Sequence, residues 1–153
     1  MAKKQSKSKS AKVQVSAKKA EIMSARVLSV TFITWMIGHS SILYLANALF
    51  PSHVVLGTNQ FSSLQGLFYS MLVFTLIAVG SIPITEYIAI LQKKTLKTMD
   101  WMVIFFFVNV VGIWLVARFA EQLGLGISSW LVAVALAVVF DIAQGVLVSK
   151  VVR

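Results

Sequence analysis

Four long apolar runs occupy most of this chain, at about residues 27–49, 66–91, 101–120 and 127–149. Crossing about 30 Å of hydrocarbon takes about 20 helical residues, and each run reaches that length. Of the 153 residues, 58% are hydrophobic and only 12% are charged, whereas soluble domains carry about a quarter charged residues. The runs therefore predict an all-α integral membrane protein, a four-helix bundle built from two transmembrane hairpins over residues 21–153.

The basic residues are concentrated on one side of these runs. Thirteen of the fourteen Lys and Arg residues lie in the first 26 residues, in the turn after the second run or at the C-terminus, and only Arg118 lies elsewhere. Positively charged loops stay on the cytoplasmic side of a membrane. We therefore expect a multi-pass protein of the cytoplasmic (inner) membrane with both termini in the cytoplasm.

The N-terminal stretch over residues 1–20 is rich in lysine and serine. Its low apolar content predicts a disordered basic cytoplasmic tail, and its charge suits the anionic lipid headgroups of the bilayer. The net charge of +9 is explained by topology in this way, so no nucleic acid partner is expected.

Polar residues within the apolar runs are candidates for function, because ionisable groups inside a membrane usually face the protein interior or water. Asp141 is predicted to lie about 12 Å inside the hydrocarbon, at 1.5 Å per helical residue. His39 and Asn109 fall at similar depths, and Gln144 follows Asp141 by three residues. These four residues predict a buried polar cluster, which would act as structural glue, as a proton or cation relay, or as a subunit contact.

Three further charged residues lie near the ends of the runs. Arg118 and Glu121 are three residues apart, on one face of a continued helix, and are expected to pair at the outer interface or to hold an anionic headgroup. Glu86 is expected to be a carboxylate at the inner interface, near Lys93 or Lys94.

No motif for catalysis is present in the sequence. There is no glycine-rich phosphate loop and no nucleophile elbow, and two histidines without any cysteine make no zinc motif. The chain is therefore expected to be non-enzymatic, without cofactor or metal. No Gly-x-x-x-Gly pair lies within a run, so homo-oligomerisation is left open.

The two hairpins resemble each other weakly. Tyr44-Leu45-Ala46 matches Trp114-Leu115-Val116 at an offset of 70, and the same offset pairs His39 with Asn109. Such matches are common in membrane helices, so a duplicated hairpin and coincidence both stay open. A true duplication would be a parallel repeat, because both hairpins start on the same side.

The second hairpin, FFFVNVVGIWLVARFAEQLGLGISSWLVAVALAVV, joins Asn109 and an aliphatic-aromatic run to a Gly-rich turn and an Ala-rich helix. This pattern resembles the bacterial four-helix membrane proteins of the phage-holin-like family, and Pro83 lies where that family often has a proline closing the second span. The resemblance covers about residues 28–149 and implies membrane permeabilisation without catalytic residues. The lysine-rich tail, Glu86 and Asp141 depart from the family pattern.

Three candidate functions follow from these features. The first is a small non-enzymatic, envelope-associated or membrane-permeabilising protein with a holin-like layout. The alternatives are a small proton- or cation-coupled transporter that uses Asp141, and an accessory subunit of a membrane complex.

Overall fold

The computed structural model describes the backbone of residues 2–93 and 96–151 and the side chains of residues 25–93 and 96–146. Within these residues the chain is mostly helical, which confirms the all-α class. In chain order the elements are α1 (Ala2–Leu49), β1 (Val54–Leu56), α2 (Ser63–Leu91), α3 (Thr98–Arg118), α4 (Ala120–Leu123), β2 (Leu125–Ile127) and α5 (Trp130–Val151).

The chain divides into two units, Met1–Thr31 and Phe32–Arg153. In the first unit α1 begins at Ala2. The helix therefore covers most of residues 1–20, which the sequence predicts to be a disordered tail. The second unit contains the rest of α1 and every other element.

Three helices of the described chain are long and apolar enough to cross a membrane: Ala25–Leu49, Ser63–Leu91 and Thr98–Arg118. Only 17%, 28% and 22% of their most apolar stretches are buried inside the protein, so most of their apolar side chains face outward. Lipid solvates such a surface, whereas water would leave a very large exposed apolar patch. The structure is therefore consistent with a membrane protein.

Local chemistry sets the helix ends. Ser62 caps α2: its backbone N–H donates to Gln65 Oε1 at 2.9 Å, and its hydroxyl accepts from the Gln65 N–H at 3.4 Å. This capping box starts α2 at Ser63, three residues before the predicted run. At the end of α3 the backbone of Phe119 leaves the helical region, with φ −101° and ψ 39°, so α3 stops at Arg118.

A two-stranded antiparallel ribbon joins the two hairpins, which the sequence patterns did not predict. Strand β1 follows α1 and strand β2 precedes α5, with Val55 opposite Gly126 at its centre. The Gly57 N–H donates to the Gly124 carbonyl at 2.8 Å, and the Ser128 N–H donates to the His53 carbonyl at 3.0 Å. We call this the ribbon end of the bundle, and the opposite end, where residues 92–97 connect α2 to α3, the turn end.

Three glycines let the first turn of α2 press against the ribbon. A Cβ built on Gly66 would lie 2.7 Å from the Gly124 carbonyl oxygen and 2.8 Å from the Gly57 nitrogen. One built on Gly124 would collide with the Gly66 Cα. Gly57 and Gly124 also have positive φ angles, 94° and 79°, which favour glycine. We call these three residues the glycine junction.

The hydrophobic core extends from the ribbon to the middle of the bundle. It draws on all four long helices and on both strands, so it contains residues from each hairpin. Its buried members are Leu43, Val54, Leu56, Met71, Phe74, Ile113, Val116, Leu125, Ala133, Leu136, Ala137 and Phe140.

Gly66→Ala is expected to lower the free energy of unfolding by roughly 1–3 kcal/mol or more, because the added methyl group meets rigid backbone atoms. Gly80→Ala is the matched control, since a Cβ there would meet nothing within 4 Å. Alanine favours a helix by up to about 1 kcal/mol over glycine, so the control should leave stability unchanged or slightly higher. Denaturant unfolding in detergent micelles measures both, and equal effects would contradict the glycine junction.

Candidate functional site: a buried polar centre and a partly exposed aspartate

Three polar side chains from three helices meet inside the bundle. They are His39 on α1, Asn109 on α3 and Gln144 on α5, which are 0%, 0% and 3% exposed. Asn109 Nδ2 donates to Gln144 Oε1 at 3.1 Å, and Gln144 Nε2 donates back to Asn109 Oδ1 at 3.3 Å. Gln144 Nε2 also lies 3.1 Å from His39 Nε2. We call these three residues the polar centre.

The hydrogen bonds of Gln144 determine how His39 is protonated. Its amide nitrogen has two hydrogens, one directed to Asn109 and the other to His39 Nε2. The imidazole therefore accepts at Nε2 and, as a neutral ring, carries its proton on Nδ1. That Nδ1 is buried and has no hydrogen-bond partner in the part of the chain that the structure describes.

Aromatic rings enclose the histidine. The Phe140 ring stacks on the imidazole, with centroids 4.5 Å apart and an angle of 27° between the planes. Phe74 packs edge-on at 5.2 Å and Trp35 is tilted at 6.0 Å. Since α2 contributes Phe74, all four long helices meet around the polar centre, and its surroundings are apolar.

Asp141 lies outside the polar centre although it is predicted at a similar depth. On α5 its neighbours Phe140 and Gln144 are buried, whereas Asp141 itself is partly exposed. No hydrogen bond or ion pair joins Asp141 to any of the described residues. Of the four residues predicted to cluster, the structure brings together His39, Asn109 and Gln144 only.

The charged residues near the helix ends are exposed. Arg118 ends α3 and Glu121 lies in α4, so the break at Phe119 removes the helical spacing that would place them on one face. No ion pair links these two side chains. Glu86 is also exposed and makes no ion pair within the described chain; Lys94, one of its two expected neighbours, lies outside the described residues.

Two features of the site were not predicted from the sequence. The Thr75 hydroxyl is buried without a partner among the described residues, and nothing in its local sequence distinguishes it from other membrane threonines. The ribbon was not predicted either, although the sequence contains a pattern that fits it. The triplets VVL and LGI each lie beside a glycine in the turn of one hairpin.

The polar centre is suited to holding helices together. The described hydrogen bonds join side chains of α1, α3 and α5 to one another. Among the described residues, no three His, Cys, Asp or Glu side chains converge as they would around a metal ion. The arrangement supports structural cohesion in the centre and leaves Asp141 as the candidate for contacts outside the bundle.

Gln144→Leu is expected to lower the free energy of unfolding by about 1–3 kcal/mol, because both His39 and Asn109 then lose buried partners. Asp141→Asn is the control on the same helix and should unfold like the unmodified protein. Thermal unfolding in detergent, followed by tryptophan fluorescence, measures both variants. A loss for Asp141→Asn as large as that for Gln144→Leu would contradict the separation of Asp141 from the polar centre.

Comparisons with known proteins add no established role to this geometry. No protein-family model, curated protein or solved structure matches the chain. The roles of the polar centre and of Asp141 are therefore inferred from their contacts, their burial and their depth.

Proposed function

We propose that this chain is a non-enzymatic protein of the inner membrane with four spans and both termini in the cytoplasm. The fourth span is α5, whose 22 residues extend about 33 Å along a helix axis. The ribbon supports an even number of crossings, because it places the turns of both hairpins at the same end of the bundle. Lys93 and Lys97 lie at the turn end, which the positive-inside rule assigns to the cytoplasm.

This orientation can be tested by labelling single cysteines, since the native chain has none. Val55 lies in the ribbon and is 50% exposed, so Val55→Cys is expected to react with a membrane-impermeant maleimide in intact cells. Lys93→Cys, at the turn end, should react only after the membrane is permeabilised. The reverse pattern would contradict the proposed orientation.

The proposed action of the protein is lateral assembly in the membrane. Asp141 lies on α5 about 16 Å from the ribbon end of that helix, next to Ile142, which is 62% exposed. A charged aspartate near the centre of a membrane helix costs about 2.5–3.5 kcal/mol if it faces lipid. Contact with a second protein surface or with water removes that cost. The partial exposure of Asp141, without a partner in the described chain, is the observation that carries the proposal.

Assembly of several copies fits a membrane-permeabilising role better than a channel through one copy. The middle of the single bundle is filled by the polar centre and its aromatic rings, so an aqueous path would have to form between copies. The α5 faces that carry Asp141 would then border this path. The holin-like layout of two short-turned hairpins supports the same function.

Asp141→Asn is expected to reduce leakage of a small dye from proteoliposomes by about tenfold or more, because it removes the charge whose cost in lipid favours assembly. Glu86→Gln is the matched control: it neutralises another exposed carboxylate, near the turn end of α2, and should leave leakage unchanged. The measurement is dye and ion release across a pH series, with the oligomeric state determined in the same detergent.

The alternatives give different results in the same experiment. Ion-selective flux without dye release would favour a proton- or cation-coupled transporter that uses Asp141. Absence of any flux, together with a stoichiometric protein that co-purifies, would favour an accessory subunit. Either result would contradict permeabilisation.

A further inference from the structure

A cleft opens between α2 and α3 at the turn end of the bundle. It has a volume of about 450 Å³ and lies between the last two turns of α2 and the first turns of α3. Its lining includes Thr85, Ile88, Ala89, Gln92, Val103 and Ile104. The distance from Thr85 to Gln92 along the helix is about 10 Å, enough for a lipid glycerol group and the first part of an acyl chain.

Apart from Thr85 and Leu96, the lining changes from apolar to polar toward the end of the helices. Ala89 and Ile104 lie in the inner part of the cleft, whereas Gln92 and Asp100 lie where α2 ends and α3 begins. The Asp100 carboxylate is engaged there as a cap, since its Oδ2 accepts from the Lys97 N–H at 2.9 Å. A molecule with an apolar chain and a polar head matches this gradient.

Two exposed lysines lie next in sequence to residues that line the cleft. Lys93 directly follows the lining residue Gln92, and Lys97 directly follows the lining residue Leu96. The backbone at Lys93 is left-handed, with φ 52°, directly after the Gln92 cap that ends α2. Together the two lysines outweigh the single charge of Asp100, so the rim has a net positive charge.

We propose that this cleft binds an anionic phospholipid. The acyl chain and glycerol lie against the apolar lining, and Lys93 and Lys97 bind the phosphate. Basic pockets between membrane helices near the cytoplasmic surface recognise lipid headgroups in this way. This proposal uses no residue of the lysine-rich N-terminal stretch, and it does not depend on the role of Asp141.

The occupant is a lipid rather than a free anion because most of the lining is apolar. A free phosphate would use the lysines alone and would gain nothing from Ala89, Val103 or Ile104. A soluble apolar molecule would leave the lysines unused. The position of the cleft beside two candidate membrane spans also places it in direct contact with bilayer lipids.

The test measures lipids that stay bound to the full-length protein in native mass spectrometry, after its release from nanodiscs of phosphatidylcholine with a minor fraction of phosphatidylglycerol. The unmodified protein should retain phosphatidylglycerol preferentially. The double substitution Lys93→Gln with Lys97→Gln should reduce this retention by about tenfold or more, since each cation near a headgroup contributes several-fold to binding. Added inorganic phosphate should not displace the lipid.

Two pairs of variants distinguish lipid binding in the cleft from lipid binding elsewhere on the protein. Ala89→Phe fills the cleft and should abolish preferential retention, whereas Ala135→Phe, on the exposed surface of α5, should not. Lys18→Gln with Lys19→Gln removes the same charge from the N-terminal stretch and should leave retention nearly unchanged. The proposal is overturned if the two lysine pairs have equal effects, if Ala89→Phe retains the lipid, or if phosphate alone displaces it.

Discussion

Close contact between backbones at the glycine junction determines how the two hairpins meet. Gly66 in the first turn of α2 lies against the backbone of Gly57 and Gly124, with no side chain between them. The ribbon adds directional hydrogen bonds between the same two turns. In lipid, an unpaired strand would leave backbone N–H and carbonyl groups without hydrogen-bond partners. The pairing of β1 with β2 gives partners to the groups on the facing edges of the two strands. The register of the ribbon therefore fixes the depth of one hairpin against the other.

The two hairpins also contribute corresponding residues to the polar centre. His39 and Asn109 occupy corresponding positions in the two hairpins, at an offset of 70 residues, and both reach the polar centre together with Gln144. In each half of the chain a long helix is followed by a short strand and a second long helix, with the four-residue α4 added in the second half. This shared order agrees with the weak internal similarity and with a parallel arrangement of the two hairpins.

Burial separates the polar residues of the spans into two groups with different roles. The polar centre satisfies most of its own hydrogen-bonding groups inside an aromatic enclosure, which suits cohesion. Asp141, three residues before Gln144 on α5, is partly exposed and lies outside this centre. At the turn end, the lysines that predict the orientation also flank a cleft suited to a lipid headgroup. A single charge pattern can therefore serve both topology and lipid binding.

The sequence by itself determined the helical class and the approximate positions of the long helices, because these follow from the length of the apolar runs. It also predicted a cluster of His39, Asn109, Asp141 and Gln144, of which the structure brings three together. Only the tertiary structure decided which way each side chain faces: a small rotation of α5 moves Asp141 into or out of the centre without changing its depth. The pairing of VVL with LGI likewise depends on contacts between segments distant in sequence. A local sequence pattern does not show which distant segment it will pair with.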